Sequence, residues 1–265
     1  MAHPGISIRG LTKSFGRNAV LRGIGLDLPA GQVTVLMGAN GAGKSTLVRI
    51  LCGVHPPDGG EILLDGAPFA PPDPAAALRA GVVTVHQNIN DGVVPDLDIA
   101  SNLLLDTLAA RRGLLLNRRR MRDEARRIAA AVGLGMDVAR PVAGLSLADR
   151  QLVAIARAMA RRPRLLILDE PTSSLSLAEA QRLFAMIERL RAQGVAILYI
   201  SHRMSDIRRL ADRIVAMRDG QVSGLFEGPG LDHAAAVCAM LGHEITEVDI
   251  TIPPPGPAVL ELRGL

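Results

Sequence analysis

The sequence predicts an α/β fold built on a mostly parallel sheet. Short apolar runs bounded by turn residues, which are typical of buried strands, alternate with stretches whose apolar residues recur at helical spacing. The strand-like runs are VTVLM, VVTV, LLILD, VAILYI and RIVAM. The helical faces are formed by Leu152, Ile155, Ala156 and Met159, and by Leu183, Ile187 and Leu190. Strands that alternate with helices favour parallel pairing, because each helix can cross between neighbouring strands.

The domain organisation follows from three stretches of the 265-residue chain. At the start, ISIRGL (6–11) alternates apolar and polar residues, which predicts a half-buried strand followed by an Arg-Gly-Leu turn. Residues from about 98 to 160 are helical with no convincing strand, which indicates an inserted helical subdomain. TIPPPGPA carries four prolines and predicts an extended connector. We therefore expect a compact domain over 1–245 and a proline-rich linker over 246–258.

Composition excludes several classes of protein. Although 48% of residues are hydrophobic, no run approaches the roughly 18 apolar residues of a membrane span, and the first residues do not resemble a signal peptide. Cys52 and Cys238 lie far apart without metal-type spacing, which favours free thiols in a reducing cytosol. The net charge of +4 permits anionic partners, whereas 2% aromatic residues argue against a base-stacking surface.

The stretch GANGAGKST follows the run VTVLM and precedes the helix-forming LVRIL. It fits the phosphate-loop pattern G-x-x-x-x-G-K-S in the strand–loop–helix context that this pattern requires. Backbone N–H groups at the start of the helix would point at phosphate oxygens. We expect Lys44 to reach the β- and γ-phosphates and the Ser45 hydroxyl to ligate Mg²⁺. The expected phosphate-binding residues are Gly38, Ala39, Asn40, Gly41, Ala42, Gly43, Lys44, Ser45 and Thr46.

The stretch RLLILDEPTSS places two carboxylates at the end of a buried strand. In parallel sheets, ligands bind at the carboxyl ends of the strands. Asp169 is suited to the Mg²⁺ shell, and Glu170 is suited to polarising an attacking water, as phosphoryl transfer requires. Two acidic residues alone would more often form a solvated turn, but the phosphate loop favours the functional interpretation.

Three weaker signals complete a pattern. Gln87 follows GVVTVH, His202 follows VAILYIS, and Ser146 opens the helix LSLADRQLVAIARAM, where it also fits an ordinary N-cap. Their order is phosphate loop, Gln, LS-x-x-x-x-Q, LLILDE and SH. That order resembles the nucleotide-binding domain of ATP-binding cassette (ABC) proteins over essentially residues 6–245.

The resemblance implies an ABC-type P-loop NTPase fold with an antiparallel β subdomain and an inserted helical subdomain, binding ATP and Mg²⁺. Phe15 would stack on adenine, and Gln87 would contact Mg²⁺ and the attacking water and sense the membrane partner. His202 would contact the γ-phosphate. A signature segment would cap the γ-phosphate of an opposing domain, and its residues are Ser146, Leu147, Ala148 and Asp149.

Further stretches resemble the ATPase subunits of bacterial simple-sugar importers. They are GVVTVHQNINDGVVPDLDIASNLLL, YISHRMSDI, DRIVAMRDG and MLGHEI. Such proteins carry two nucleotide-binding domains in tandem on the cytoplasmic side of the inner membrane. They energise a permease dimer that is fed by an extracytoplasmic solute-binding protein. The resemblance therefore implies ATP hydrolysis coupled to import of a simple sugar or similar small polar solute, without nucleic acid.

The final LELRGL repeats the pattern of the opening ISIRGL. A tandem arrangement explains this repeat, because the second domain would begin with an equivalent strand. We therefore expect residues 259–265 to be the first strand of a second ABC domain on the same native chain.

Three positions depart from the family pattern. Ala148 replaces a signature glycine, and its methyl group could crowd a phosphate. Ser176 replaces an aspartate that is common after the acidic strand end, and Asn88 replaces the glutamate expected after Gln87. Ala148 and Ser176 belong to the contribution made across a dimer. In the importer group, the second domain often has an impaired phosphate loop that would face this signature, so a relaxed signature is compatible with one strong and one weak ATP site.

Two alternatives to transport remain open. A soluble tandem ABC ATPase acting on ribosomes or nucleic acid would suit the basic pI, but its domains are usually joined by long charged helices. A small nucleotide kinase would leave the signature and the LLILDE–SH order unexplained. The arginine-rich stretch 111–127 could bind phospholipid or nucleic acid, although the solvated face of a helix is the favoured interpretation.

Overall fold

The computed structural model describes residues 5–85, 92–110, 117–173, 175–228 and 230–242. The strands are β1 (Ile6–Phe15), β2 (Asn18–Leu28), β3 (Val33–Gly38), β4 (Gly59–Leu64), β5 (Ala67–Pro68), β6 (Val82–Val85), β7 (Leu165–Asp169), β8 (Ala196–Ile200), β9 (Arg213–Arg218) and β10 (Gln221–Glu227). The helices are α1 (Lys44–Leu51), α2 (Pro74–Arg79), α3 (Ile99–Leu103), α4 (Leu105–Ala110), α5 (Arg118–Val132), α6 (Leu147–Ala160), α7 (Leu177–Ala192), α8 (Met204–Leu210) and α9 (His233–Leu241).

The larger sheet has six strands in the order β10-β9-β3-β8-β7-β6. All neighbours pair in parallel except β9 and β10, so the predicted mostly parallel core sheet is confirmed. Because β3, β8 and β7 are adjacent, the segments that follow them meet at one edge of the sheet. Those segments carry the phosphate loop, the His202 turn and the two carboxylates.

The smaller sheet has four antiparallel strands in the order β2-β1-β4-β5, which confirms the expected antiparallel subdomain. The turn predicted at Arg9-Gly10-Leu11 is wrong, because β1 continues through it to Phe15. Gly10 adopts a positive φ of 58°, and the pairing register shifts between Ile8 and Leu11. Glycine therefore forms a bulge that bends the strand without ending it.

The helices α3 to α6 form the predicted helical region, and the structure shows no extended strand among its described residues. Asn102 on α3 is fully buried. Its Oδ1 accepts the Val94 N–H at 2.7 Å, and its Nδ2 donates to the Val94 carbonyl at 3.0 Å. Arg161, directly after α6, pairs with Asp106 on α4. Burial alone would raise the pKa of Asp106, but the hydrogen bonds and charges of Arg161 and Arg157 lower it overall. These polar links join α3 and α4 to the segments at the two ends of the helical region.

One apolar core runs from a face of the large sheet into the helical region. It includes Val35 of β3, Leu168 of β7, Ile99 of α3 and Ala129 of α5. A second core lies between the opposite face of the sheet, α1 and the antiparallel strands. Of the described helices, none is long and apolar enough to cross a membrane.

Candidate functional site

The phosphate loop occupies the turn between β3 and α1, as predicted. Gly43 is the N-cap of α1 with φ 101°, a conformation that side chains with a Cβ rarely adopt. A Cβ at this position would also lie 2.7 Å from Leu21 Cδ2. Glycine is thus required both by the backbone angle and by close packing, and the helix start is left open to an anion.

Lys44, the first residue of α1, lies folded over its own loop. Its Nζ donates to the carbonyl oxygens of Gly38 at 2.5 Å and Ala39 at 3.0 Å. Burial lowers the pKa of Lys44, while the negative charges of Glu170 and Asp169 raise it in part. The two carboxylates at the end of β7 therefore act electrostatically on the same ammonium group.

A cavity of about 300 Å³ brings these groups together. It is lined by Val20, Asn40, Gly41, Ala42, Gly43, Lys44, Ser45, Thr46, Asp169, Glu170 and Ile200. The Ser45 hydroxyl and the Asp169 carboxylate supply oxygen donors, the type that Mg²⁺ prefers when substrate phosphates complete its shell. The donor chemistry of the cavity thus fits Mg²⁺ together with a nucleotide. Among the described residues, no group of three or more His, Cys, Asp or Glu could hold a metal without such phosphates.

Glu170 stands at the junction of β7 and the following turn in an unusual backbone conformation. Its φ is 47°, in the left-handed region, and its N–H donates to the Ile200 carbonyl at 2.9 Å. Such a conformation costs of order 1–3 kcal/mol in a residue other than glycine and persists only where surrounding contacts fix it. The Glu170 Oε1 lies 3.1 Å from His202 Nδ1, so the structure brings these two predicted residues together.

The signature segment lies at the start of α6 and lines no part of this cavity as described. Ser146 is the N-cap, and its hydroxyl accepts the Asp149 N–H at 3.1 Å. Leu147 is 45% exposed, whereas Ala148 is only 3% exposed. Asp149 pairs with Arg182 on α7 at 2.8 Å. The methyl group of Ala148 is therefore almost fully enclosed by the domain itself.

A further predicted residue, Phe15, is not among the residues that line the cavity. Phe15, at the end of β1, is 44% exposed and packs edge-on against His55 with ring centroids 5.3 Å apart. The Lys13 ammonium lies over the same ring, with its Nζ 5.7 Å from the ring centroid. Gln87 lies outside the described residues, as do Asn88, the proline-rich stretch and LELRGL.

Ser176 caps α7 in a reciprocal arrangement that the sequence reasoning missed. Its N–H donates to Glu179 Oε2 at 2.8 Å, and its hydroxyl binds the same oxygen at 2.7 Å. The signal was available, since serine followed three residues later by glutamate is a capping-box pattern. The serine at this position therefore has a local structural role.

The sequence reasoning also missed buried polar residues behind the cavity. Gln151, Thr172 and Asp206 are each at most 2% exposed, and all three bond to or within the segment that follows Glu170. Burial is the property that distinguishes these polar residues, and it is visible only in the folded chain. Most buried polar atoms are hydrogen-bonded, and among the described residues the Gln151 Oε1 is an exception without a partner.

Comparison with known proteins places the chain among relatives with this architecture. Residues 21–173 match the ABC transporter family model. A ribose import ATP-binding protein of Rubrobacter xylanophilus is 41% identical over 264 residues, covering 99% of this chain and 50% of that protein. One of Burkholderia thailandensis is also 41% identical, with coverage of 98% and 52%. The chain thus spans about half the length of the curated relatives it matches.

The fold is also found in a solved ATP-binding cassette. The ADP conformation of MJ1267, an ATP-binding cassette of an ABC transporter, superposes with a TM-score of 0.77 at 24% identity, covering 90% of this chain and 98% of that chain. This likeness confirms the ABC-type P-loop fold with its antiparallel subdomain. Since the family model covers more than half of the chain, the chain belongs to the ABC transporter family.

Proposed function

We propose that the chain binds and hydrolyses ATP and thereby energises import of a ribose-type sugar or a similar small polar solute through a membrane permease. The observation that carries the ATPase part is the cavity in which the phosphate loop, Asp169 and Glu170 converge. A phosphate cradle beside a carboxylate that can orient water is the arrangement that phosphoryl transfer requires.

Each residue of the cavity has a distinct task in this mechanism. The N–H groups at the start of α1 hold phosphate oxygens, and the Lys44 ammonium moves from its own loop carbonyls to the β- and γ-phosphates. Glu170 orients the attacking water and accepts its proton. His202, already 3.1 Å from Glu170, contacts the γ-phosphate and holds that carboxylate in place.

Ser45 and Asp169 would hold Mg²⁺ together with the nucleotide, with Gln87 as a further ligand and contact to the water. When bound, the ion neutralises charge that develops on the phosphates. The phosphate-binding set is Gly38, Ala39, Asn40, Gly41, Ala42, Gly43, Lys44, Ser45 and Thr46, with Phe15 stacked on the adenine.

A second ABC-type domain completes the ATP site in this proposal. The signature residues Ser146 to Asp149 line no described part of their own cavity, and Leu147 is exposed, which suits a contact made across a dimer. The length of the relatives, about twice that of this chain, supports a second domain on the same native polypeptide. Nucleotide clamped between two domains would then drive closing and opening.

The transport part of the proposal rests on the relatives. Both are ribose import ATP-binding proteins and align with nearly the whole chain. We therefore propose that the chain acts at the cytoplasmic face of the bacterial inner membrane, on a permease dimer supplied by an extracytoplasmic solute-binding protein.

Stimulation by the transport partners tests this function. ATPase activity of the native complex in lipid nanodiscs should rise at least about threefold when ribose-loaded binding protein is added, because substrate delivery drives the domains to close. Unloaded binding protein is the control. ATPase activity that does not change with the binding protein but rises with ribosomes or RNA would contradict the transport role and favour a translation-type ATPase.

Replacing Ala148 by glycine should leave ATP turnover within about twofold of the wild type. The buried methyl faces the domain interior, so its removal opens no path to a phosphate. Glycine in a helix costs about 1 kcal/mol, which lowers the Tm by roughly 2–4 °C for a domain of this size. Ala156→Gly, fully buried in the same helix, is the matched stability control. A large gain in ATP turnover in Ala148→Gly would contradict the view that the Ala148 methyl group lies away from the phosphates.

A further inference from the structure

The segment 170–173, which begins at Glu170, is held by the helix α6 and by the turn before α8. From α6, the Gln151 Nε2 donates to the Pro171 carbonyl. From the turn before α8, the Arg203 guanidinium donates to the Thr172 carbonyl at 2.6 Å. Both carbonyls lie within two residues of Glu170, so the backbone after this carboxylate is held at two consecutive carbonyl groups.

A buried carboxylate provides the third attachment. The Thr172 hydroxyl donates to Asp206 Oδ2, and the Tyr199 hydroxyl donates to the same oxygen at 3.0 Å. Burial raises the pKa of Tyr199 and the charge of Asp206 raises it further, so the phenol remains a hydrogen-bond donor. A carboxylate buried to 2% exposure is costly unless it is well bonded, and here one of its bonds reaches the 170–173 segment.

The backbone at Glu170 needs such attachments. Its positive φ of 47° is intrinsically unfavourable and would relax if the following residues were free. The hydrogen bonds at residues 171 and 172 restrain the neighbouring backbone and thereby the direction of the Glu170 side chain. A carboxylate that orients water loses efficiency when it is displaced by about 1 Å.

We propose that Gln151, Thr172 and Asp206 are positioning residues that hold Glu170 in its working orientation through the 170–173 segment. The proposal rests on the ATPase function proposed above and deepens it. Gln151 lies on the same helix whose first turn carries the signature. The position of the carboxylate in one ATP site is therefore linked mechanically to the signature that serves the other site.

Removal of one hydroxyl group tests the proposal. In the native complex, Thr172→Val should lower kcat about tenfold or more, because a hydrogen bond to a charged group contributes enough free energy for such a loss. The KM for ATP should stay within twofold, since the phosphate loop is unchanged. Thr172→Ser restores the hydroxyl and should restore kcat. Ser205→Ala is the matched control, because the Ser205 hydroxyl bonds Asp206 Oδ1 at 3.1 Å and, within the part of the chain that the structure describes, makes no hydrogen bond to the 170–173 segment.

Gln151→Met removes the hydrogen bond to the Pro171 carbonyl. We again expect kcat to fall about tenfold or more while KM for ATP stays within twofold. It also keeps the proposal testable if Thr172→Val does not fold, as judged by circular dichroism. Unchanged kcat in the folded variants would overturn the proposal, and so would an equal loss in Ser205→Ala or failure of Thr172→Ser to restore turnover.

Glu170→Gln, measured in parallel, separates this inference from the proposed function. Full turnover in Glu170→Gln would contradict the role of the carboxylate itself. Loss of turnover in Glu170→Gln combined with full turnover in Thr172→Val and Gln151→Met would overturn only the positioning role.

Discussion

Glu170→Gln is expected to lower ATP turnover at least about 100-fold while ATP binding persists. The amide has the shape of the carboxylate but cannot accept a proton from water, and general base catalysis contributes roughly 10²- to 10⁴-fold. The phosphate loop and Lys44 remain in place, so the Kd for ATP should stay within a few-fold. Phosphate release and equilibrium binding of radiolabelled ATP measure the two effects separately.

Glu61→Gln is a suitable control for this change. Glu61 is an exposed residue of β4 in the antiparallel sheet, far along the chain from the carboxyl edge of the large sheet. The substitution removes one negative charge by the same chemistry, and turnover should stay within twofold. Wild-type turnover in Glu170→Gln would refute the assignment of the base.

Lys44→Ala is expected to abolish both tight ATP binding and turnover. The ammonium group is the cation nearest to the phosphate position in the described cavity, and truncating one partner of a buried, hydrogen-bonded charge pair costs about 2–5 kcal/mol. The loss leaves Asp169 and Glu170 to repel the phosphates. We therefore expect the Kd for ATP to rise at least about 30-fold, as measured by isothermal titration calorimetry.

Arg49→Ala provides the matched control on the same helix. Arg49 is an exposed cation in the last turn of α1, at the end opposite to the phosphate loop. Its loss should leave the affinity for ATP within twofold. Comparable weakening in both variants would indicate a general effect of net charge, and unchanged affinity in Lys44→Ala would contradict the phosphate-binding role.

The carboxyl edge of the sheet could be predicted because its signals are local. VTVLM followed by a glycine-rich loop, and LLILD followed by glutamate, each specify a strand and the chemistry at its end within about ten residues. Parallel pairing then places these ends together. The neighbouring positions of β3, β8 and β7 confirm that prediction of the sheet edge.

The polar contacts behind Glu170 could not be predicted, since they join residues that are distant in sequence. Thr172 and Asp206 are separated by 34 positions, and Gln151 and Pro171 by 20. Nothing in a single sequence specifies which buried oxygen meets which donor. The turn predicted at Gly10 failed for a related reason. A glycine between Arg9 and Leu11 fits a turn and a bulge equally well, and pairing of β1 with both β2 and β4 selects the bulge.

The continuous core between the large sheet and the helical region restricts how that region can move. Val35 and Leu168 on the sheet belong to the same apolar cluster as Ile99 and Ala129 on the helices. Opening a hinge there would expose close-packed side chains to water, at a cost that rises with the area uncovered. We therefore expect the helical region to stay packed against the sheet, with any displacement limited to small sliding of the packed surfaces.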